Sequence, residues 1–239
     1  MTPAPARPVV TADPAVLDDP FGSALRGRHR RFARRHGTAI AYHPDVSVFY
    51  AHPPELTAQA YADLAALAGP GGTIGLRERT TDLPPDWQIL QTLGLVQYTG
   101  ESVAGLADPQ LTVLGPADVP EMTELIELTR PGPFGPRTIE LGTYLGYRDP
   151  ATGRLLAMAG ERAQPDGWTE ISAVCTRPQA RGRGLARRLI AAVTAGIGAR
   201  GDAPFLHTTT DNPARALYES MGFAHRSTVP LEIVQVPGH

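Results

Sequence analysis

The chain has no lysine: all 22 of its basic residues are arginine. We read this mainly as a coding bias of the source, and its one chemical consequence is that the protein offers no lysine amine of its own for modification. Cysteine is almost absent as well. The single Cys175 excludes an intramolecular disulfide and fits a reducing cytoplasm. No apolar run reaches the roughly 18 residues that a membrane span needs, and the start lacks the charged-then-apolar order of a secretion signal. A surplus of charge is missing too. Twenty-two basic residues against 24 acidic ones leave a net charge of -2, so no general positive field draws in nucleic acid or an anionic membrane. These absences predict a soluble cytoplasmic protein with neither nucleic acid nor membrane as a partner.

What is present is a globular composition: 42% hydrophobic and 19% charged residues leave little room for a disordered chain. A length of 239 residues allows one large domain or two small ones. The Pro- and Ala-rich opening "MTPAPARPVVTADPAV" reads as a loosely held tail. The weakly patterned "ESVAGLADPQ", Glu101 to Gln110, reads as a linker, which divides the chain into 1–108 and 109–239. In the first part "SALRGRHRRFARRHG" looks helical and "TAIAYHPDVSVFYA" strand-like. "ELTAQAYADLAALAG" sets Leu56, Ala60, Leu64 and Leu67 on one helical side, and "GTIGLRER" and "LGLVQYT" read as strands. This part is α/β and carries no site-forming motif.

The second part is richer in signals. A strand "LTVLGP" precedes a helix "ADVPEMTELIEL", for which Asp118 and Glu121 have the spacing of a capping box. Strands "TYLGYRD" and "RLLAMAGERA" flank the turn "PATG", and "WTEISAVCT" is a further strand. Then come "RPQARGRGLARRLI", a strand "PFLHTTT", a helix "NPARALYESMG" and a final strand "TVPLEIVQV". The order β-α-β-β-β-α-β-α-β describes a mixed sheet with helices on its faces.

The stretch "RPQARGRGLARRLI" gathers five arginines around two glycines at a strand-to-helix junction. The helix that follows has its apolar stripe at Leu185, Leu189, Val193 and Ile197. A helix start leaves backbone N–H groups unpaired and carries partial positive charge, so it attracts a phosphate. Gly182 and Gly184 have no Cβ and let an anion touch the backbone, while Arg181, Arg183, Arg187 and Arg188 add charge around it. A nucleic-acid patch would need the arginines but not glycines placed there. A phosphate cradle accounts for both.

Gln179-Ala180-Arg181-Gly182-Arg183-Gly184 resembles the Gln/Arg-x-x-Gly-x-Gly/Ala signature of the GNAT superfamily of acyl-CoA-dependent N-acetyltransferases. "DNPARALYESMGF" resembles the second hallmark of that family, with Ala214, Tyr218, Gly222 and Phe223 in register. Asp211 stands in the Asn slot, and Asn212 comes one place late. The resemblance covers roughly residues 111–236. It implies a GNAT-type α/β (α+β) fold, a mixed central sheet flanked by helices, preceded by a smaller α/β N-terminal domain that could be a degenerate GNAT-like half. The two-part arrangement is similar to the glycine N-acyltransferase-like branch.

The resemblance implies acetyl-CoA or coenzyme A as co-substrate, no metal, and a small-molecule amine or amino acid as acceptor. It assigns Gln179, Arg181, Gly182, Arg183, Gly184, Leu185 and Ala186 to the pyrophosphate, the strand backbone at Val174, Cys175 and Thr176 to the pantetheine amides, and Asn212 to a cofactor contact. Tyr218 becomes the general acid for the departing thiolate. A phenol is protonated at neutral pH and can bury its body while its tip reaches a cleft. Core packing at i, i+3, i+4 and i+7 is its plainer explanation. Glu170 becomes the general base, with His207 as the second candidate; a strand carboxylate and a packed strand histidine are the plainer readings. Arg130, Phe134, Arg137, Glu140 and His207 become acceptor contacts, the first four on the proline-fixed loop "TRPGPFGPRTIE". Cys175 reads as a small buried residue and not as a nucleophile.

The six arginines between Arg26 and Arg35 read first as a solvated helix face, with packing against acids of the second part or an anion site as alternatives. Two other functions compete with acyl transfer: a catalytically silent coenzyme A-binding module, and an arginine-rich nucleic-acid binder, which the net charge opposes.

Overall fold

The computed structural model describes residues 12–238. The expected N-terminal tail therefore lies mostly outside the described residues. Its last part is anchored: a single 3-10 turn spans Pro14–Asp18, and Leu17 is fully buried.

The first part opens with helix α1 (Pro20–Arg26), capped by Asp19, whose side chain accepts from the Gly22 N–H. Gly27 ends it, so the longer helix expected through Gly37 gives way to a turn at Arg30–Phe32 and strand β1 (Ala33–His36). Strands β2 (Ala39–Tyr42) and β3 (Tyr50–Ala51) complete a three-stranded antiparallel sheet. Helix α2 (Ala58–Ala68) follows, capped by Thr57, and then β4 (Thr73–Arg77) and β5 (Gln88–Thr99). The second part contributes β6 (Leu111–Leu114), α3 (Val119–Thr129), β7 (Tyr144–Arg148), β8 (Leu155–Glu161), β9 (Trp168–Thr176), α4 (Leu185–Ala199), β10 (Ala203–Thr209), α5 (Arg215–Ser220) and β11 (Ala224–Gln235).

The capping box expected at Asp118 and Glu121 is not formed. Both carboxylates bind Arg148 at 2.6 Å, and Glu121 also accepts from the Leu155 N–H. An ion-pairing partner from a distant strand outcompetes the local cap.

Strands β4 to β11 form one eight-stranded mixed sheet in the order β4-β11-β5-β10-β9-β8-β7-β6. Strand β5, from the first part, lies between β10 and β11 and pairs antiparallel with both. The boundary expected at 108/109 therefore falls inside a single hydrogen-bonded sheet. The expected linker is also packed: Val103 is buried, the Leu106 N–H binds the Ala191 carbonyl of α4, and a Cβ on Gly105 would strike the Ala195 backbone at 2.6 Å.

Side-chain alternation divides the core. Val96, Tyr98, Ile171 and Leu206 point to the face covered by α4 and α5. Trp168 and Phe205 point to the other face, against Leu17, Phe21 and Leu25 of the first part. Helix α3 buries Met122, Leu125 and Ile126 against Leu114, Tyr144 and Met158.

Because residues 1–108 supply both β4 and β5, a fragment of residues 109–239 would leave β11 without a strand partner and β10 with an open edge. That fragment is expected to be insoluble or to melt without a cooperative transition, whereas the full chain melts as one unit. A soluble fragment with a sharp calorimetric transition would contradict this.

Candidate active site

Strands β9 and β10 are the one parallel pair of the large sheet, and their pairing is short. It covers Ala203↔Trp168, Pro204↔Thr169 and Phe205↔Glu170, and stops. Beyond that point β9 continues to Thr176, paired only with β8, and β10 continues to Thr209, paired only with β5. The two strands form a fork whose inner edges carry backbone groups without a strand partner. A bulge in β9 contributes: Met158 faces Cys175 and Gly160 faces Ser172, so β9 has one extra residue, and Ala173 sits in the left-handed region at φ 52°. A non-glycine residue there is strained, and such bulges re-aim a strand beside a site.

At the open end of β9 the chain turns through Arg177–Gly184 into α4. Gly182 and Gly184 have φ of 76° and 72°, a conformation suited to glycine, and nothing lies within 4 Å of where a Cβ would stand on either. Gly184 is the N-cap of α4 and offers no side chain, so the first N–H groups of the helix face outward. Gln179, Arg181 and Arg183 are exposed, Leu185 is buried in the core, and Ala186 is half-buried.

The arginines divide by role. Arg177 turns inward, donating to the Leu155 carbonyl and lying 3.1 Å from Glu124. Arg188 is neutralised by Asp108 at 2.6 Å, and Arg187 bonds Ser220. Among the described residues Arg181, Arg183 and Arg187 have no carboxylate partner, whereas the Arg188 charge is met by Asp108.

Tyr218 projects from α5 into the core of the α4 face and is 7% exposed. Burial alone pushes its hydroxyl up to about 12, and that hydroxyl has no hydrogen-bond partner among the described residues. The phenol is therefore kept protonated. Asn212 accepts from the Ala214 N–H at 2.9 Å and opens the turn into α5, while Asp211 accepts from the Thr209 hydroxyl. The helix itself begins after Ala214 with no side-chain cap, so the Asn212 bond belongs to the turn before it.

Glu170 and His207 stand where the strands part, and both are held in a buried hydrogen-bonded network. The Glu170 carboxylate is fully buried. It receives Nε and Nη2 of Arg162 at 2.8 and 2.6 Å, the Ala163 N–H at 3.3 Å and Nδ1 of His207 at 2.7 Å. Burial alone would raise its carboxyl, but the Arg162 charge and its hydrogen bonds outweigh that and hold it far below the usual carboxylate range. A base must have a free acceptor and an appetite for protons, and Glu170 has neither.

His207 is engaged on both ring nitrogens. Gln97 accepts from Arg226 through its oxygen, so its amide N–H donates to His207 Nε2 at 3.0 Å, and Nδ1–H donates to Glu170. Burial lowers the His207 proton affinity against the pull of Glu170.

The Cys175 thiol points into the α3 cluster, and burial pushes it up to about 11, which suits packing and leaves only its backbone for the fork. On the loop after α3, Phe134 packs edge-on against Tyr144 at 5.7 Å, Arg137 and Glu140 pair with each other, and Arg130 ends α3 in a left-handed turn on the surface. That loop is tied to the first part by Arg137 N–H to the Asp45 carbonyl and Thr138 Oγ1 to the Val46 carbonyl. Within the Arg26–Arg35 cluster, Arg28 forms a forked pair with Asp202, which realises the packing alternative at that position.

Arg162, Gln97 and Arg226 escaped the sequence reading, as did Phe21 and Phe49, which stack at 4.2 Å with the Arg162 guanidinium 4.5 Å above Phe49. Their shared site appears only when β5 and α1 are placed on the sheet. Among the described residues there is no cluster suited to a metal ion, and no helix is long and apolar enough to cross a membrane.

A forked parallel strand pair beside a glycine-lined helix start is suited to an extended ligand that carries a phosphate. The chain belongs to the GNAT family of acetyltransferases. Its residues 144–230 match the family model described as FR47-like protein. A putative GNAT-family acetyltransferase from Novosphingobium aromaticivorans is 38% identical with a TM-score of 0.82, over 91% of this chain and 97% of that one. A GCN5-related N-acetyltransferase from Kribbella flavida shares the fold at 17% identity and a TM-score of 0.62, over 91% and 94% of the two chains. No curated protein sequence matches the chain significantly. Enzymes of this family use acetyl-CoA as co-substrate and act on amine acceptors.

Removing the Glu170 charge leaves Arg162 buried without its counter-ion, which should cost about 3–5 kcal/mol. Glu170→Gln is therefore expected to lower the denaturation midpoint sharply, and Arg162→Met in the same chain to restore part of it. A variant with wild-type stability and abolished turnover would return Glu170 to the role of base.

Proposed function

We propose that the protein transfers an acetyl group from acetyl-CoA to the primary amine of a small molecule or amino acid by direct attack in a ternary complex. The observation that carries this reading is the unpaired fork of β9 and β10 set beside a helix start with two left-handed glycines. Pyrophosphate at Gln179 to Ala186 directs the pantetheine along the open edge of β9, where backbone groups of Val174, Cys175 and Thr176 take the place of a neighbouring strand. One N–H of that edge stabilises the oxyanion. The amine nitrogen attacks the thioester carbon, the C–S bond breaks, and the Tyr218 hydroxyl protonates the leaving thiolate. The phenol regains its proton from solvent, and the proton lost by the amine leaves through water, since Glu170 and His207 have no free acceptor. Asn212 retains its amide N–H groups for a cofactor contact. Phe134, Arg130 and Glu140 belong to the acceptor-side wall in this reading.

A first part without a glycine-loop motif, preceding a second part that carries it, supports the likeness to the glycine N-acyltransferase-like branch. The lone buried thiol supports a cytoplasmic setting. A silent coenzyme A-binding module is the second reading, and the occupied state of Glu170 and His207 favours it; turnover with a panel of amines separates the two.

Tyr218→Phe removes one hydroxyl from a buried ring, so coenzyme A affinity should be unchanged while turnover falls roughly 10²–10⁴-fold. Equal turnover would leave Tyr218 as core packing. Arg181→Gln with Arg183→Gln keeps the loop backbone and removes its free charge. In calorimetry this pair is expected to weaken coenzyme A binding about tenfold or more and to flatten its salt dependence. Unchanged affinity would contradict the cradle.

A further inference from the structure

Arg77, the last residue of β4, is the one arginine whose Nε is enclosed without a hydrogen-bond partner among the described residues. Four acids lie within Coulombic reach of it: Asp19, Glu170, Glu78 and Asp18. Three of them are already committed, Asp19 to Arg26 at 2.7 Å, Asp18 to Arg226 at 2.6 Å and Glu170 to Arg162 at 2.6 Å. Glu78 is exposed on a left-handed turn at φ 49°. A guanidinium taken largely out of water without a counter-ion is costly, and a fold that keeps one has an anion to offer it.

The strand register shows where Arg77 points. It is paired with Leu231, Leu231 with Leu93, and Leu95 with Thr209, so these residues share the sheet face that carries Gln97, His207 and Glu170. Leu93, Leu95, Val229, Leu231 and Thr209 are all half-buried. They make an apolar floor between the arginine and the open end of the fork. From β4 to β10 there are three interstrand steps of about 4.8 Å, roughly 14 Å in all.

We propose that Arg77 anchors an anionic group, a carboxylate or a phosphate, on the far end of the amine acceptor, whose apolar middle lies on this floor and whose amine reaches the fork. The substrate class is then a short ω-amino acid or a similarly built amino phosphate, and not a plain amine or a polyamine. This rests on the acyl-transfer reading for the amine end only; the anion site stands or falls by itself.

Two measurements decide it. In the first, melting of the wild type is followed as acetate or inorganic phosphate replaces chloride at constant ionic strength. The wild type is expected to gain, with saturation, a stabilisation beyond that of Arg77→Gln, and Arg77→Lys to keep part of that difference. Any phosphate held at Gly182 and Gly184 contributes equally to all three proteins. In the second, ω-amino acids of increasing length are compared with their carboxamides as acceptors. The wild type should prefer the carboxylates by about 10-fold to 100-fold in kcat/KM, through KM, and Arg77→Gln should lose that preference while still acetylating the carboxamides. Identical salt responses in wild type and Arg77→Gln overturn the proposal, as does a wild type that treats carboxylates and carboxamides alike. If Arg77→Gln does not fold, Arg77→Lys and the wild-type acceptor preference decide. Absence of turnover with every amine, alongside a smaller salt response in Arg77→Gln than in the wild type, would refute the acyl-transfer reading and leave the anion site standing.

Discussion

Where β9 and β10 cease to pair, a side-chain network takes over from the backbone ladder. The last paired residues are Phe205 and Glu170, and the Glu170 carboxylate then binds Arg162 from its own hairpin and His207 from the neighbouring strand. Buried charge of this kind tolerates little rearrangement, because every oxygen lone pair has a donor and each donor is fixed from behind. Gln97 and Arg226 continue the chain of contacts to Asp18 in the first part. The angle of the fork, the open edge of β9 and the docking of the first part therefore depend on one enclosed ion pair. The bulge at Ala173 adds the local bend that turns the open edge outward.

This arrangement explains why the two parts of the chain act as one structure. Strand β5 closes the sheet between β10 and β11, its Gln97 completes the network, and its Leu93 and Leu95 form the floor on the acceptor side. The first part lacks a catalytic motif, yet the second has no complete sheet without it.

The glycine loop and the helix after it were legible in the sequence because their signals are local: a strand, two glycines and an apolar stripe at Leu185, Leu189, Val193 and Ile197, all buried as expected. Tyr218 lies on the helix that its motif predicted, α5. The network that holds Glu170 and His207 was not legible, since it depends on Arg162, Gln97 and Arg226, residues brought together by strand pairing over long separations. Asp118 shows the same effect on a smaller scale, where Arg148 displaced a local cap. The helix read through Gly37 failed for a local reason, a glycine at 27 that ended it early. The placement of β5 had no sequence signal, because a strand inserted between distant partners looks like any other strand.

The central claim is that coenzyme A lies along the open edge of β9 with its pyrophosphate on the start of α4. Amide hydrogen exchange with and without acetyl-CoA tests it residue by residue. The account expects added protection at Val174 to Thr176 and at Gly182 to Ala186, with little change in β6 or α2. Protection confined to other segments, or no change at saturating acetyl-CoA, would contradict it.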